Sequence, residues 1–168
     1  MALRTFGIVL GVTALAALAL SGCMEGSGRE QAHVAPQSSA PGFSFYLMDE
    51  GPSVKLAYGQ ANSDNVGLML QCRKGSGEVE ITEATGTPKV ARLTLVSSGT
   101  SAALKTRLDS GEGSPVLVAS ARIDAAPLAA FRRSGAIEVV RSDGRYPIKA
   151  TSDDRPRIEG FFSACERG

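Results

Sequence analysis

The chain contains no tryptophan, only three tyrosines and six phenylalanines, and one histidine. So few aromatic residues argue against sites that stack sugars or bases. The single histidine, His33, lies ahead of the folded region, so a Ser-His-Asp or Cys-His site cannot be built within residues 43–168. An excess of one charge is also lacking: 18 Lys and Arg stand against 17 Asp and Glu, with no basic cluster. That balance argues against nucleic acid as a partner and against an electrostatic hold on anionic lipid. Cysteine is sparse, and no CxxC or Cys/His spacing marks a metal site, so neither a metal nor another cofactor is expected. The longest apolar run, Phe6 to Leu20, would span about 22 Å as a helix, short of the roughly 30 Å hydrocarbon core.

What is present begins with that run. Arg4 supplies a positive charge ahead of it, and small residues follow it, which is the pattern of a cleaved signal. The run ends in Leu20-Ser21-Gly22-Cys23, which resembles the lipobox of bacterial lipoproteins. The resemblance implies cleavage before Cys23, a thioether-linked diacylglyceride on its sulfur and an acylated amino group, usually a palmitate. Several acyl chains, each CH₂ worth about 0.8 kcal/mol when buried, make such an attachment permanent. The other reading is a cleaved signal that leaves a free N-terminal cysteine. Met24 and Glu25 follow the cysteine, and by resemblance to enterobacterial sorting this favours the outer over the inner membrane, facing the periplasm.

With Cys23 acylated, Cys72 and Cys165 remain as an even pair in an oxidising compartment. A disulfide between them would close a loop of about 90 residues, worth about 4–5 kcal/mol by chain entropy. Two buried free thiols or a metal site are the alternatives.

Three segments follow from composition: a signal peptide over 1–22, the lipidated cysteine with a disordered tether over 23–42, and a β-rich domain over 43–168. The tether is rich in Gly, Ser, Gln, Pro and Ala without a period of 2 or 3.6 residues, and spans roughly 25 Å as a random coil. From Phe43 short alternating runs are broken by turn residues, the signature of antiparallel strands. Strands are expected around Phe43–Leu47, Val54–Tyr58, Val66–Cys72, Val79–Glu83, Val90–Val96, Ala102–Leu108, Pro115–Ile123, Ala136–Arg141 and Arg145–Thr151. Apolar residues on both faces of Pro115–Ile123 mark a central strand. Asp124 would cap a helix over Ala125–Arg133, and a second helix would run from Asp153 to Cys165 with Ile158, Phe161, Phe162 and Cys165 on one stripe. The fold class is therefore mainly β with two short helices, an antiparallel sandwich or open barrel with the C-terminal helix packed on it.

Little of this carries chemistry. Glu78, Glu80 and Glu83 are candidates for carboxylate-only hydrolysis, but read as the solvated face of a strand. Asp143-Gly144-Arg145 and Asp153-Asp154-Arg155 suggest ion contacts, or more simply a hairpin turn and helix-start acids. Arg132 and Arg133 form an exposed dipeptide suited to a partner. The Tyr58-Gly59, Ser63-Asp64 and Cys72 stretch, with the Phe161-Phe162-Ser163-Ala164-Cys165 ending, looks like envelope lipoproteins of Gram-negative bacteria, which implies an address and no activity. A non-enzymatic module binding an envelope protein or cell-wall component is the leading expectation. A periplasmic inhibitor of lysozyme-type hydrolases is the second, a carboxylate-dependent hydrolase the third and a carrier of small apolar ligands the fourth.

Overall fold

A computed structural model describes residues 41–84, 92–110 and 115–167. The lipobox with Cys23, most of the tether and His33 lie outside them.

Among the described residues nine strands form one antiparallel sheet. In chain order they are β1 (Phe43–Glu50), β2 (Ser53–Gln60), β3 (Val66–Arg73), β4 (Glu78–Ala84), β5 (Arg92–Ser97), β6 (Thr100–Asp109), β7 (Val116–Arg122), β8 (Ala136–Arg141) and β9 (Gly144–Lys149). Helix α1 (Ala126–Ser134) joins β7 to β8, and α2 (Arg155–Glu166) follows β9. The spatial order is β1-β2-β3-β4-β7-β6-β5-β8-β9, so β7 is the middle strand, as its two apolar faces require. The sheet curls into a half-barrel, the open-barrel form of the expected architecture. Among the described residues no helix is long and apolar enough to cross a membrane.

Alternation decides which side chains enter the core. Val54, Leu56 and Tyr58 of β2, Leu68, Leu70 and Cys72 of β3, and Val79 and Ile81 of β4 are all buried. Leu128 and Phe131 of α1 and the Ile158, Phe161, Phe162 and Cys165 stripe of α2 meet them. The few aromatics are concentrated here. Phe43 and Phe45 lie 5.3 and 5.1 Å from the Tyr58 ring, Phe45 is 5.5 Å from Phe131, and Phe131 leads on to Phe162 and Phe161. Every phenylalanine of the domain thus belongs to one chain of rings joining β1, α1 and α2.

Turns follow their residues. Ser98 and Gly99 both have positive φ, at 45° and 78°, which makes the two-residue β5–β6 hairpin. Gly135 ends α1 at φ 72°, and a Cβ there would sit 2.7 Å from Arg155 Nη1. Helix α1 begins one residue later than expected. Ala125 takes the cap position without a side-chain bond, and Asp124 turns to Arg122 Nε at 3.4 Å instead.

Helix α2 is fastened along its whole length. Cys165 is joined to Cys72 of β3, with Cα atoms 5.9 Å apart. Gly75 and Gly77 of the β3–β4 turn donate their N–H groups to the Ala164 and Cys165 carbonyls, each at 3.1 Å, which satisfies acceptors a helix end leaves open. At the other end Asp154 binds β1.

The outer strands of the sheet differ. β9 carries Pro147, which has no N–H to offer a further strand. In β1, the Phe45 N–H donates to Asp154 Oδ1 at 3.0 Å, so the start of α2 covers that half of the edge.

Candidate functional site

The sequence-derived candidates divide sharply. Glu78 and Glu80 are exposed, but Glu83 is 5% exposed, and the expectation of a solvated face fails there. The reason is parity: Glu83 shares its face with Val79 and Ile81, not with Glu78 and Glu80. Its carboxylate receives Arg141 Nη1 at 2.6 and 2.8 Å, and the same nitrogen donates to the Ala84 carbonyl at 2.9 Å. Arg141 also donates to Asp143, at 2.8 Å from Nε, and lies 4.1 Å from the Tyr146 ring centre. Burial pushes the Glu83 carboxyl above its ordinary value, and the Arg141 bond draws it part of the way back. Asp143 therefore serves a bolt between β4 and β8 rather than an open ion site.

Asp154 is likewise more than a helix-start acid. It is 1% exposed, and its two oxygens accept from the Phe45 N–H, the Ser44 hydroxyl, the Thr151 N–H and hydroxyl and Arg157. Burial pushes the carboxyl up, but the bonds from Thr151, Phe45 and Ser44 together hold it below the usual range.

Arg132 is not a free surface cation. It donates to Glu159 at 2.9 Å and Glu166 at 2.7 Å and lies 5.6 Å from the Phe162 ring centre, joining α1 to α2. The hydrogen bond from Arg132 holds Glu159 down to about 2. Arg133 is exposed, and its carbonyl accepts from Arg155 at 2.6 Å. Arg132 is thus engaged between the two helices, while the Arg133 side chain stays exposed. No group of three or more His, Cys, Asp or Glu able to hold a metal ion occurs among the described residues.

Among the described residues, a feature open to a ligand lies where β6 changes neighbours. From Thr100 to Lys105 it pairs with β5, and from Thr106 to Asp109 with β7. The β6–β7 ladder stops at Thr106↔Ala119, although β7 runs on to Arg122 and β6 back to Thr100. The strands part there and leave an open cleft of about 540 Å³, within the range of ligand sites. Ala103 to Arg107 line one wall and Val118 to Ser120 the other. Lys105 and Arg107 are the charged residues of the lining, and no carboxylate lines it. Arg107 is bridged to Asp109 at 3.0 Å and Glu80 at 3.5 Å. Thr106 Oγ1, at the point of parting, is shielded from solvent and has no hydrogen-bond partner.

Beside the cleft Lys105 stands directly opposite Arg92 in the β5–β6 ladder. Like charges so placed repel, and among the described residues neither is bridged to an acid. Sequence reasoning missed this pair because it turns on register: Arg92 and Lys105 are ordinary surface cations until the hairpin at Ser98-Gly99 sets them face to face. No protein family, curated protein or solved structure matches this chain.

Proposed function

We propose that this protein is an envelope lipoprotein, held through Cys23 in the outer membrane and facing the periplasm, whose domain binds a protein or cell-wall component without catalysing a reaction. The address rests on Leu20-Ser21-Gly22-Cys23 behind the apolar run. The binding role rests on one observation: the interrupted β6–β7 ladder opens a cleft beside Arg92 and Lys105, which no acid bridges among the described residues. A domain fastened by a disulfide and a closed ion-pair bolt holds such a cleft in shape before a partner arrives, which lowers the entropic cost of binding. The acids that looked available for hydrolysis fit this reading too, because Glu83 is neutralised by Arg141 while Glu78 and Glu80 lie in solvent.

The test is affinity capture after crosslinking in living cells, with mass spectrometry of both the intact protein and its adducts. Acylation at Cys23 and reproducible capture of one envelope component support the proposal. An unmodified Cys23 overturns the address. Capture of nothing by a correctly lipidated protein overturns the binding role.

A further inference from the structure

We propose that the cleft between β6 and β7 seats an extended peptide segment carrying a carboxylate. Its main chain would continue the ladder that stops at Thr106↔Ala119, and its carboxylate would lie against Lys105 and Arg92. This deepens the binding reading above and rests on it.

Two independent observations define the occupant. The first is the unfinished ladder. Alternate residues of a strand direct their N–H and C=O groups to opposite sides, so a strand paired on one side leaves half of those groups for another chain. β7 is paired with β4 through Arg122, whereas its pairing with β6 ends at Ala119. Ser120 and the Arg122 N–H therefore offer a short edge, since alternation turns Ala121 toward β4 and the Arg122 carbonyl already accepts from the Ala125 N–H at 3.0 Å. Across the cleft Ala103 and Lys105 belong to the part of β6 that pairs with β5 alone. Addition of a strand to such an edge draws affinity from main-chain hydrogen bonds and specificity from side chains.

The second observation is charge. Among the described residues Lys105 and Arg92 face each other without an acid, whereas Arg107 of the cleft lining is already bridged to Asp109 and Glu80. An acidic side chain of the bound segment removes the repulsion and makes charge-assisted hydrogen bonds. A lipid headgroup would answer the cations but leave the ladder open, and an apolar strand would do the reverse. The carboxylate-bearing peptide answers both.

The experiment uses the full lipidated chain in detergent micelles and a phage-displayed library of random heptapeptides. Enriched peptides are expected to place Asp or Glu among β-branched residues and to shift the amide resonances of Ala103, Lys105 and Ser120. Replacing the acid of an enriched peptide by its amide, or Lys105→Glu in the protein, should weaken binding at least ten-fold. N-methylation of alternate peptide amides should abolish it. Lys105 is exposed, so the variant is expected to fold, and Arg92→Gln provides a second, milder change in the same direction. Peptides that bind equally after N-methylation, or shift resonances elsewhere, overturn the proposal. Failure to enrich any sequence overturns it too, as does equal displacement by phosphatidylglycerol vesicles. If cell crosslinking still captures a partner in those cases, the binding role stands and the cleft is not its seat.

Discussion

Asp154 gathers five donors around one carboxylate, and its protonation has a worked consequence. Its folded value lies below the ordinary 3.8, so its contribution is complete above the carboxylate range and is lost as the pH falls below it. Asp154→Asn keeps the shape, removes the charge and turns an acceptor into a donor facing donors. We expect a loss of about 1–3 kcal/mol in urea unfolding at neutral pH and a flatter decline of stability below pH 4. An unchanged acid slope would assign that decline to other groups. Glu159 acts in the same direction between the ordinary 4.5 and about 2. It is more than half exposed, so Glu159→Gln should change stability by less than about 1 kcal/mol. At Thr106 the expectation reverses: its hydroxyl is shielded and unpartnered, so Thr106→Val should be neutral or stabilise by about 1 kcal/mol. A loss of that size would reveal a partner for the hydroxyl.

At the scale of elements, α2 is the piece whose attachment can be dissected. The disulfide spans 93 residues, and replacing both cysteines by alanine should cost about 4–5 kcal/mol if the unfolded chain is unconstrained. Hydrogen exchange in that variant should rise first at the last turn of α2 and at Gly75 and Gly77, whose N–H groups cap its carbonyls. Uniform acceleration across the domain would mean that α2 and the sheet open as one unit. These elements were largely legible in advance. The i, i+3, i+4, i+7 stripe from Ile158 to Cys165 and the alternation from Val66 to Cys72 locate both sulfurs, because each period is set by local geometry alone. What stayed hidden needed register. Arg92 opposite Lys105 depends on a two-residue hairpin, and Arg141 beneath Glu83 joins residues 58 apart in the chain. Parity alone would have put Glu83 inside, yet an acid between Thr82 and Ala84 reads as solvated until its guanidinium is found.

For the whole molecule, the Glu83–Arg141 bolt ties β4 to β8 across the curl, while the sheet between them passes through ladders of only four pairs, β7 to β6, and three pairs, β5 to β8. Arg141→Ala leaves a buried carboxylate without its cation and should cost about 3–5 kcal/mol. Glu83→Leu with Arg141→Met should recover most of that, since a buried ion pair exchanged for apolar volume is often near neutral. If the double variant is no better than the single, the pair contributes through more than mutual neutralisation. The outer edges of the sheet carry a different consequence, for solubility. A bare edge strand is a template on which like chains polymerise. Pro147 disarms one edge, and the Phe45 N–H is taken by Asp154 at the other. Release of that N–H would uncover an edge next to the exposed Leu47 and Met48. Damage at Asp154 should therefore appear as aggregation that grows with protein concentration before it appears as unfolding.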